Sequence, residues 1–294
     1  MTTLFKRKGF TLIEIAAVMI LSSLLLIALT KGIIGKKSII KDVRLKQAKA
    51  LTKNSPIYHM NDLVIWYENS LDESFEASEA VEDGNVSIWY NIAPNYYYKN
   101  NATQSTVDYQ PKYRKDSFNG LPSIEFDGLN HYMPLNLDYL VESSYTIFVV
   151  ASRSSVGTED FFLAGEGSWT GKNLHLGHRS GSAITLAHFG SDINYYTDSK
   201  WSTNKLYIHS FYFSLSSDIR KIYLNKELKV SQYKPDALLS DNRYNIGRIR
   251  ASNDARNNCH CTISEIIIFS RALGNEEIND VHNYLGKKYQ ISLE

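Results

Sequence analysis

Hydrophobic positions change their period along the chain, and the first part is apolar almost throughout. From Phe10 to Thr30 only Glu14 is charged. A run of about 21 residues rises about 31 Å as a helix, roughly the thickness of the hydrocarbon core of a bilayer. The cations Lys6, Arg7 and Lys8 precede this run and favour a cytoplasmic location for that end. We therefore predict a membrane-spanning helix over residues 10–30.

The apolar residues that follow recur at spacings of three and four, which is typical of an amphipathic helix. They are Ile39, Ile40, Val43, Ala48 and Leu51. Asn54-Ser55-Pro56 should end this helix, because the residue before proline is disfavoured in helical conformation. One helix over residues 10–54 is the prediction, with a front half in the membrane and an amphipathic rear half.

Beyond Ile57, short runs of alternating apolar and polar residues lie between turn residues, as in an antiparallel β-sandwich. The predicted strands are Leu63–Tyr67, Val86–Tyr90, Ser123–Phe126, Tyr145–Ala151, Leu174–His178, Ile184–Phe189, Tyr207–Ser214, Lys221–Leu224, Tyr244–Ile246 and Thr262–Phe269. The last run, with Ile263 and the apolar stretch 266–269, should be buried on both faces.

A closing helix is predicted near the C terminus. Asn275 can cap it, with Glu276 and Glu277 in its first turn. Its apolar face, which should pack on the sandwich, comprises Ile278, Val281, Tyr284 and Leu285. Its basic tail comprises Lys287 and Lys288. The predicted fold class is therefore α+β: a long N-terminal helix, an antiparallel sandwich and a C-terminal helix.

The balance of charged residues limits the classes of partner that the sequence supports. The chain has 32 Lys and Arg against 31 Asp and Glu, so its balance gives no support for nucleic-acid binding. Cations nevertheless cluster after the apolar run, with only Asp42 against them: Lys31, Lys36, Lys37, Lys41, Arg44, Lys46, Lys49 and Lys53. Lipid head groups, acidic faces of neighbouring subunits and plain solvation are all compatible with this cluster.

Neither a signal anchor nor a secretory signal explains the carboxylate of Glu14. Insertion of a charged side chain within an apolar span costs about 2.5–3.5 kcal/mol. Lys8-Gly9-Phe10-Thr11-Leu12-Ile13-Glu14 resembles the type IV prepilin family, which includes the pseudopilins of type II secretion. The resemblance implies that residues 1–9 are a leader, cut between Gly9 and Phe10 by a prepilin peptidase. It implies that Phe10 is then N-methylated and that Glu14 pairs with a neighbouring subunit during assembly.

The sandwich region, about residues 62–291, resembles the laminin-G-like (concanavalin A-like) jelly-roll domains of bacterial surface proteins. The segments that carry this resemblance, in order, are Leu63–Tyr67, Asp83–Trp89, Asn119–Gly128, Tyr145–Val150, Ile263–Phe269, Arg271–Leu273 and Tyr284–Tyr289. The resemblance implies a two-sheet antiparallel sandwich that binds carbohydrate or protein.

Catalysis is disfavoured by the sequence. Jelly-roll glycoside hydrolases use paired carboxylates in a Glu-x-Asp-x-x-Glu pattern. Glu125 and Asp127 match its first half, but Asn130 stands where the third carboxylate belongs. His175 and His178 should point to opposite faces of a strand and are interpreted as surface or packing residues. We therefore predict that the protein is not an enzyme, with a membrane-anchored glycoside hydrolase as the least supported alternative.

The two cysteines flank a histidine, in Cys259-His260-Cys261. A local disulfide or free thiols are favoured over a metal site, because no second ligand pair has zinc spacing. No cofactor is predicted. Calcium is left open, with Asp127, Asp192 and Asp218 as loop candidates whose more ordinary role is turn formation.

Aromatic residues beside amides and hydroxyls are candidates for ligand binding, because sugar sites and protein interfaces both favour such rings. They are Tyr96, Tyr97, Tyr98, Tyr195, Tyr196 and Trp201. The alternative is that these rings fill the outer core of a tyrosine-rich domain.

Together these features predict a single-pass protein of the bacterial inner (cytoplasmic) membrane with its head outside the cytoplasm. It would join other pilin or pseudopilin subunits and reach a pilus or the cell surface, where the head recognises a glycan or a surface protein. The size of the head favours a minor subunit. The main alternative is a type II secretion pseudopilin that contacts exported substrate or other subunits.

Overall fold

A computed structural model describes residues 19, 38–94, 100–155, 159–167, 171, 173–179, 183–197, 202–239, 243–249 and 258–293. Helix α1 is described over residues 38–53, and the segment 54–56 ends it as predicted. Ser55 caps the helical turn that follows, accepting a hydrogen bond from the Ile57 N–H (3.3 Å). Apart from Met19, the predicted front half of this helix lies outside the described residues. No helix in the described ranges is long and apolar enough to cross a membrane.

Sixteen strands are found in the part of the chain that the structure describes, and every pairing between them is antiparallel. They are β1 (Leu63–Glu68), β2 (Ile88–Trp89), β3 (Ala102–Thr103), β4 (Lys112–Phe118), β5 (Leu121–Asp127), β6 (Met133–Leu135), β7 (Tyr145–Arg153), β8 (Asp160–Gly165), β9 (Leu174–Arg179), β10 (Ala183–His188), β11 (Asp192–Tyr196), β12 (Tyr207–Ser214), β13 (Ile219–Leu224), β14 (Glu227–Tyr233), β15 (Tyr244–Ile246) and β16 (His260–Phe269).

The strands form two main sheets. The eight-stranded sheet has the order β14-β13-β12-β7-β16-β5-β4, with β1 also paired to β16. The six-stranded sheet has the order β11-β10-β9-β8-β15-β6, and β2 and β3 form a short separate hairpin. The mostly antiparallel sandwich of the predicted fold class is therefore confirmed.

The inner faces of the two sheets enclose the main hydrophobic core. Strand alternation separates the faces: in β12, Phe211 and Phe213 join this core, whereas Ile208 belongs to a second apolar cluster on the outer face. Helix α2 (Asn275–Tyr289) and helix α1 cover that outer face, with Ala48 and Val281 among the buried contacts. The predicted role of the C-terminal helix as a closing element is confirmed.

All ten predicted strands overlap observed ones, but β3, β4, β6, β8, β11 and β14 were not predicted. Four of the six (β4, β6, β11 and β14) are edge strands of the main sheets. An edge strand has one neighbour and more contact with water, so its sequence lacks a clear apolar alternation. Strand β8 is missed for the opposite reason, since every residue in it is buried.

The start of α2 differs from the prediction by one residue. Gly274 is the N-cap and Asn275 is the first helical residue. The side chain of Glu277 accepts a hydrogen bond from the Gly274 N–H (2.9 Å), and Arg271 binds the same carboxylate (2.5 Å). The Glu277 carboxylate therefore binds the N-cap residue's own N–H, and Gly274 has no side chain to cap the first turn as the sequence predicted for Asn275.

Candidate functional site at the helix–head junction

Helix α1 is attached to the head along one face. Ala48 and Thr52, one turn apart, are buried, and Leu45 packs beside them in the outer apolar cluster. Burying a helix side chain of this kind contributes roughly 1–3 kcal/mol, depending on its apolar area. The residues of the opposite face, including Ile39, Ile40 and Val43, are exposed.

Two cations of the same helix bind acidic residues of the head. Lys41 pairs with Asp116, and Lys49 Nζ lies 2.5 Å from Asp72 Oδ1. These lysines belong to the basic cluster after the apolar run. From the sequence, its partners could be lipid head groups, acidic faces of neighbouring subunits or solvent. Their partners are instead on the chain itself, so part of the cluster fixes the helix to its own head.

Beneath α1, three ionisable side chains meet in the interior. Glu68 ends β1, and Glu265 is its cross-strand partner in β16. Lys288 of α2 binds both carboxylates, with Nζ 2.8 Å from Glu265 Oε2. All three side chains are fully buried. Unpaired charges in such surroundings are strongly destabilising, so each of the three requires the others. We call Glu68, Glu265 and Lys288 the junction triad.

Neutral donors complete the surroundings of Glu265. Trp66 Nε1 and the Tyr284 hydroxyl donate to Oε1 (2.7 and 2.9 Å), and the Tyr289 hydroxyl donates to Oε2 (2.8 Å). Burial raises the pKa of Glu265; Lys288 opposes this shift and Glu68 adds to it. Burial together with the nearby carboxylates also raises the pKa of both tyrosines, which keeps them protonated as donors.

Glu68 is held by the turn that follows β1. Its Oε1 accepts from the Ser70 N–H (2.8 Å) and its Oε2 accepts from the Leu71 N–H (2.9 Å). These backbone donors compensate for the fact that one ammonium serves two carboxylates.

Helix α1 is joined to the junction triad through Tyr284. The Thr52 and Tyr284 hydroxyls are 3.0 Å apart, and Arg44 donates to the backbone carbonyl of Lys288 (3.0 Å). Because every side chain of the triad is sealed from solvent, substrate has no access to its two carboxylates. The arrangement therefore orients helix α1 and helix α2 on the sheet.

The sequence reasoning missed the junction triad. A usable signal was present, since Glu265 interrupts a strand that is otherwise expected to be buried on both faces. Charged residues are almost never fully buried without a partner, so that position predicts a buried cation nearby.

The predicted processing and assembly residues Gly9, Phe10 and Glu14 lie outside the described residues, as do Tyr96, Tyr97, Tyr98 and Trp201. Of the remaining aromatic candidates, Tyr195 packs partly buried against the inner core and Lys229 Nζ lies 5.4 Å from its ring centre. Tyr196, at the end of the edge strand β11, is 65% exposed.

The carboxylates that resemble a hydrolase motif have other partners. Glu125 forms an ion pair with Arg114 (2.7 Å). Asp127 Oδ1 accepts from the backbone N–H groups of Leu129, Asn130 and His131, at 2.9–3.1 Å. Asp127 therefore shapes the turn after β5, which is the turn-forming role that was expected as its alternative to calcium binding.

The calcium candidates also serve local structure. Asp192 binds Arg179 (2.6 Å), and Asp218 has a positive φ of 53° in the turn between β12 and β13. Within the described ranges, no group of three or more His, Cys, Asp or Glu side chains could hold a metal ion.

Cys259 and Cys261 form a disulfide where the chain enters β16. His178 contacts Phe162 of the inner core, whereas His175 contacts Phe161 on the other face of the six-stranded sheet. The two histidines thus point to opposite faces as predicted, and both are buried packing residues.

Comparison with known proteins identifies the N-terminal segment. A family model described as the prokaryotic N-terminal methylation motif matches residues 4–30. Residues 4–30 are a prepilin-type segment. This match covers residues 4–9 of the predicted leader, the predicted cleavage junction Gly9-Phe10 and the apolar run to Thr30. No curated protein matches the chain in a sequence search.

Solved structures resemble the head. Domain 4 of AbnA, a GH43 extracellular arabinanase from Geobacillus stearothermophilus in complex with arabinotriose, has a TM-score of 0.51 at 16% identity, covering 75% of this chain and 98% of that one. The binding domain of Paraclostridial Mosquitocidal Protein 1 has a TM-score of 0.53 at 13% identity, covering 76% and 52%. A Trypanosoma rangeli sialidase has a TM-score of 0.48 at 13% identity, covering 78% and 33%. Identities this low show the fold alone, which is consistent with a jelly-roll head.

Proposed function

We propose that this chain is a pilin-like subunit that assembles through its N-terminal helix and displays its sandwich head for adhesion or recognition. The prepilin-type segment at residues 4–30 is the observation that carries the proposal. In this proposal a prepilin peptidase cuts after Gly9, Phe10 is methylated, and Glu14 pairs with a neighbouring subunit in the inner membrane.

Attachment of the helix to the head supports this assignment. A subunit that polymerises through its helix and presents a head needs a firm connection between the two. The buried faces of α1 and α2 and the junction triad provide such a connection, because α1 contacts the head through apolar, hydrogen-bonded and ionic groups.

A role in recognition is supported by two structural neighbours whose TM-scores exceed 0.5. One is in complex with arabinotriose and the other is a binding domain. We infer that the head takes a carbohydrate or protein ligand and that the protein is a minor subunit rather than an enzyme. Because the neighbour solved with arabinotriose is a domain of an arabinanase, hydrolysis is the competing activity to be assayed on the full chain.

Substitution of Glu14 tests the assembly step. Glu14→Ala should leave membrane insertion intact but remove the subunit from sheared filament fractions, because the span loses its only carboxylate. Glu276→Ala, at an exposed position in α2, is the matched control and should incorporate normally. Normal incorporation of Glu14→Ala would contradict the assigned role.

Deleting the gene separates adhesion from secretion. Loss of adherence with normal protein export is the expected result; loss of export with normal adherence would instead establish the pseudopilin alternative. A head fragment for biochemical work should start before residue 38 rather than at Asn54, because Ala48 and Thr52 are buried against the head.

A further inference from the structure

A neutral cleft lies beside the hairpin of β2 and β3. Its volume is about 580 Å³, within the usual range for small-ligand sites. One wall comprises Ile88 and the segment 103–106, and the other comprises Tyr132 and Pro134. Strand β6, which contains Pro134, is the edge of the six-stranded sheet opposite to β11.

Hydrogen bonds of Gln104 fix the two walls relative to each other. Its side-chain amide donates to the backbone carbonyl of Tyr132 (3.1 Å) and accepts from the Thr106 N–H (3.1 Å). Gln110 in turn donates to the Gln104 carbonyl (2.8 Å). Both glutamines are buried. The cleft is therefore preformed, which lowers the entropy cost of binding a ligand.

The ring of Tyr132 is also held in place. The Arg248 guanidinium lies 3.3 Å from its centroid, and the Tyr109 ring lies 5.6 Å away. Arg248 is fixed by Glu166 (2.6 Å), which also accepts from Asn245 (2.8 Å). Because this cation is paired and stacked, the charge of Arg248 is compensated before any ligand binds.

The chemistry of the lining is that of a neutral polyol site. Its described residues carry no formal charge, and the hydroxyls of Thr103, Ser105 and Thr106 are on exposed residues. A hydroxyl both donates and accepts, as sugar hydroxyls do. Tyr132, Ile88 and Pro134 offer apolar surface for the C–H face of a sugar ring. We propose that this cleft binds a neutral oligosaccharide.

This inference rests on the proposed recognition role of the head and assigns its ligand class and location. A phosphorylated or otherwise acidic ligand would need cations at the lining, and the described lining has none. A neutral ligand also means that binding should change little with ionic strength, because no charge is screened.

The test uses the full chain purified in detergent. Binding is measured by calorimetry against neutral trisaccharides of glucose, galactose, mannose and arabinose, with sialyllactose as the acidic comparison. A neutral trisaccharide should bind in preference to sialyllactose, with the same affinity at low and high salt. Preference for sialyllactose, or steep loss of affinity with salt, would overturn the inference.

Three variants locate the site. Tyr132→Ala should weaken binding about 10-fold or more, and Thr103→Val and Thr106→Val about 3–10-fold each, as expected for lost stacking and single hydrogen bonds. The threonines are exposed, so their valine variants should keep the parent's melting temperature. Tyr233→Ala, at an exposed position in the edge strand β14 of the other sheet, is the control and should bind like the parent. Tyr196→Ala tests the rival candidate ring at the opposite edge of the six-stranded sheet.

The outcomes separate the inference from the proposed function. Trisaccharide binding that survives in all three cleft variants but is lost in Tyr196→Ala overturns the cleft and leaves the recognition role standing. A parent that binds no oligosaccharide overturns the cleft and the carbohydrate role together, while filament incorporation of the parent still decides the pilin-like assignment.

Discussion

The two faces of the eight-stranded sheet both bury ionisable groups, but they do so with opposite chemistry. On the inner side, between the sheets, lie His209 of the eight-stranded sheet and His178 and His188 of the facing six-stranded sheet. The outer face, beneath the helices, holds two carboxylates that are bound to Lys288. Inner imidazoles can become neutral by losing a proton, whereas the outer carboxylates need a cation to remain ionised.

This difference follows from what covers each face. The inner face meets another sheet, and burial lowers the pKa of the histidines between the two sheets: His188 and His209 to about 3, and His178 well below its ordinary value. The outer face meets helix α2, from which Lys288 reaches the carboxylates, with its Nζ 5.5 and 5.3 Å from the ring centres of Tyr284 and Tyr289. The inner face should therefore limit stability in acid, and the outer face should depend on Lys288 at neutral pH.

Removal of Lys288 should have the largest effect. Lys288→Met leaves two buried carboxylates without their ammonium and should lower the free energy of unfolding by about 3–5 kcal/mol at pH 7. The neighbouring exposed lysine provides the control: Lys287→Met should change it by no more than about 0.5 kcal/mol. Urea unfolding monitored by tryptophan fluorescence measures both, and equal values for the two variants would contradict a buried junction triad.

Acid sensitivity should follow the inner histidines. The pKa of His209 is lowered to about 3 in the fold, so the unfolded chain binds its proton first. The contribution of His209 to the free energy of unfolding is fully present above about pH 6.5 and is lost as the pH falls. The loss between pH 7 and pH 5 is roughly 2 kcal/mol.

Substitution isolates that contribution. His209→Gln cannot take up the proton, so the loss of stability between pH 7 and pH 5 should shrink by about 2 kcal/mol relative to the parent. His59→Gln, at an exposed position, should keep the parent's pH dependence. The quantity compared is the change in the free energy of unfolding between pH 7 and pH 5, not its value at one pH. If this change is the same in His209→Gln as in the parent, the inner face does not exclude protons.

A smaller effect should appear at the contact between α1 and the outer face. Thr52→Val keeps the shape of the side chain but removes the hydroxyl beside Tyr284, and should cost about 1 kcal/mol. Lys53→Met, on the exposed side of the helix, is the control. Protease cleavage within residues 38–53 should become faster in Thr52→Val only; equal cleavage in both variants would mean that this contact does not hold the helix.

The two faces also explain what the sequence could and could not predict. Strands such as β7 and β12 alternate or are continuously apolar, so their period is visible in the chain. Strands β4 and β14 are edges with polar exposed residues, and nothing in their local pattern separates them from loops.

Contacts distant in sequence were the harder part. Glu68 and Lys288 are 220 residues apart, and their pairing depends on β1 lying beside β16 and on α2 covering both. The neutral cleft likewise combines the segment 103–106 with Tyr132 across two elements. The prepilin-type segment, by contrast, is contiguous, so seven consecutive residues were enough to predict it.

The central claim is that residues 4–30 are processed as a prepilin, and the intact mass of the membrane-extracted protein tests it most directly. In a host with an active prepilin peptidase, the mass should correspond to the chain without Met1–Gly9 and with one added methyl group. An unprocessed full-length mass in that host would contradict the account.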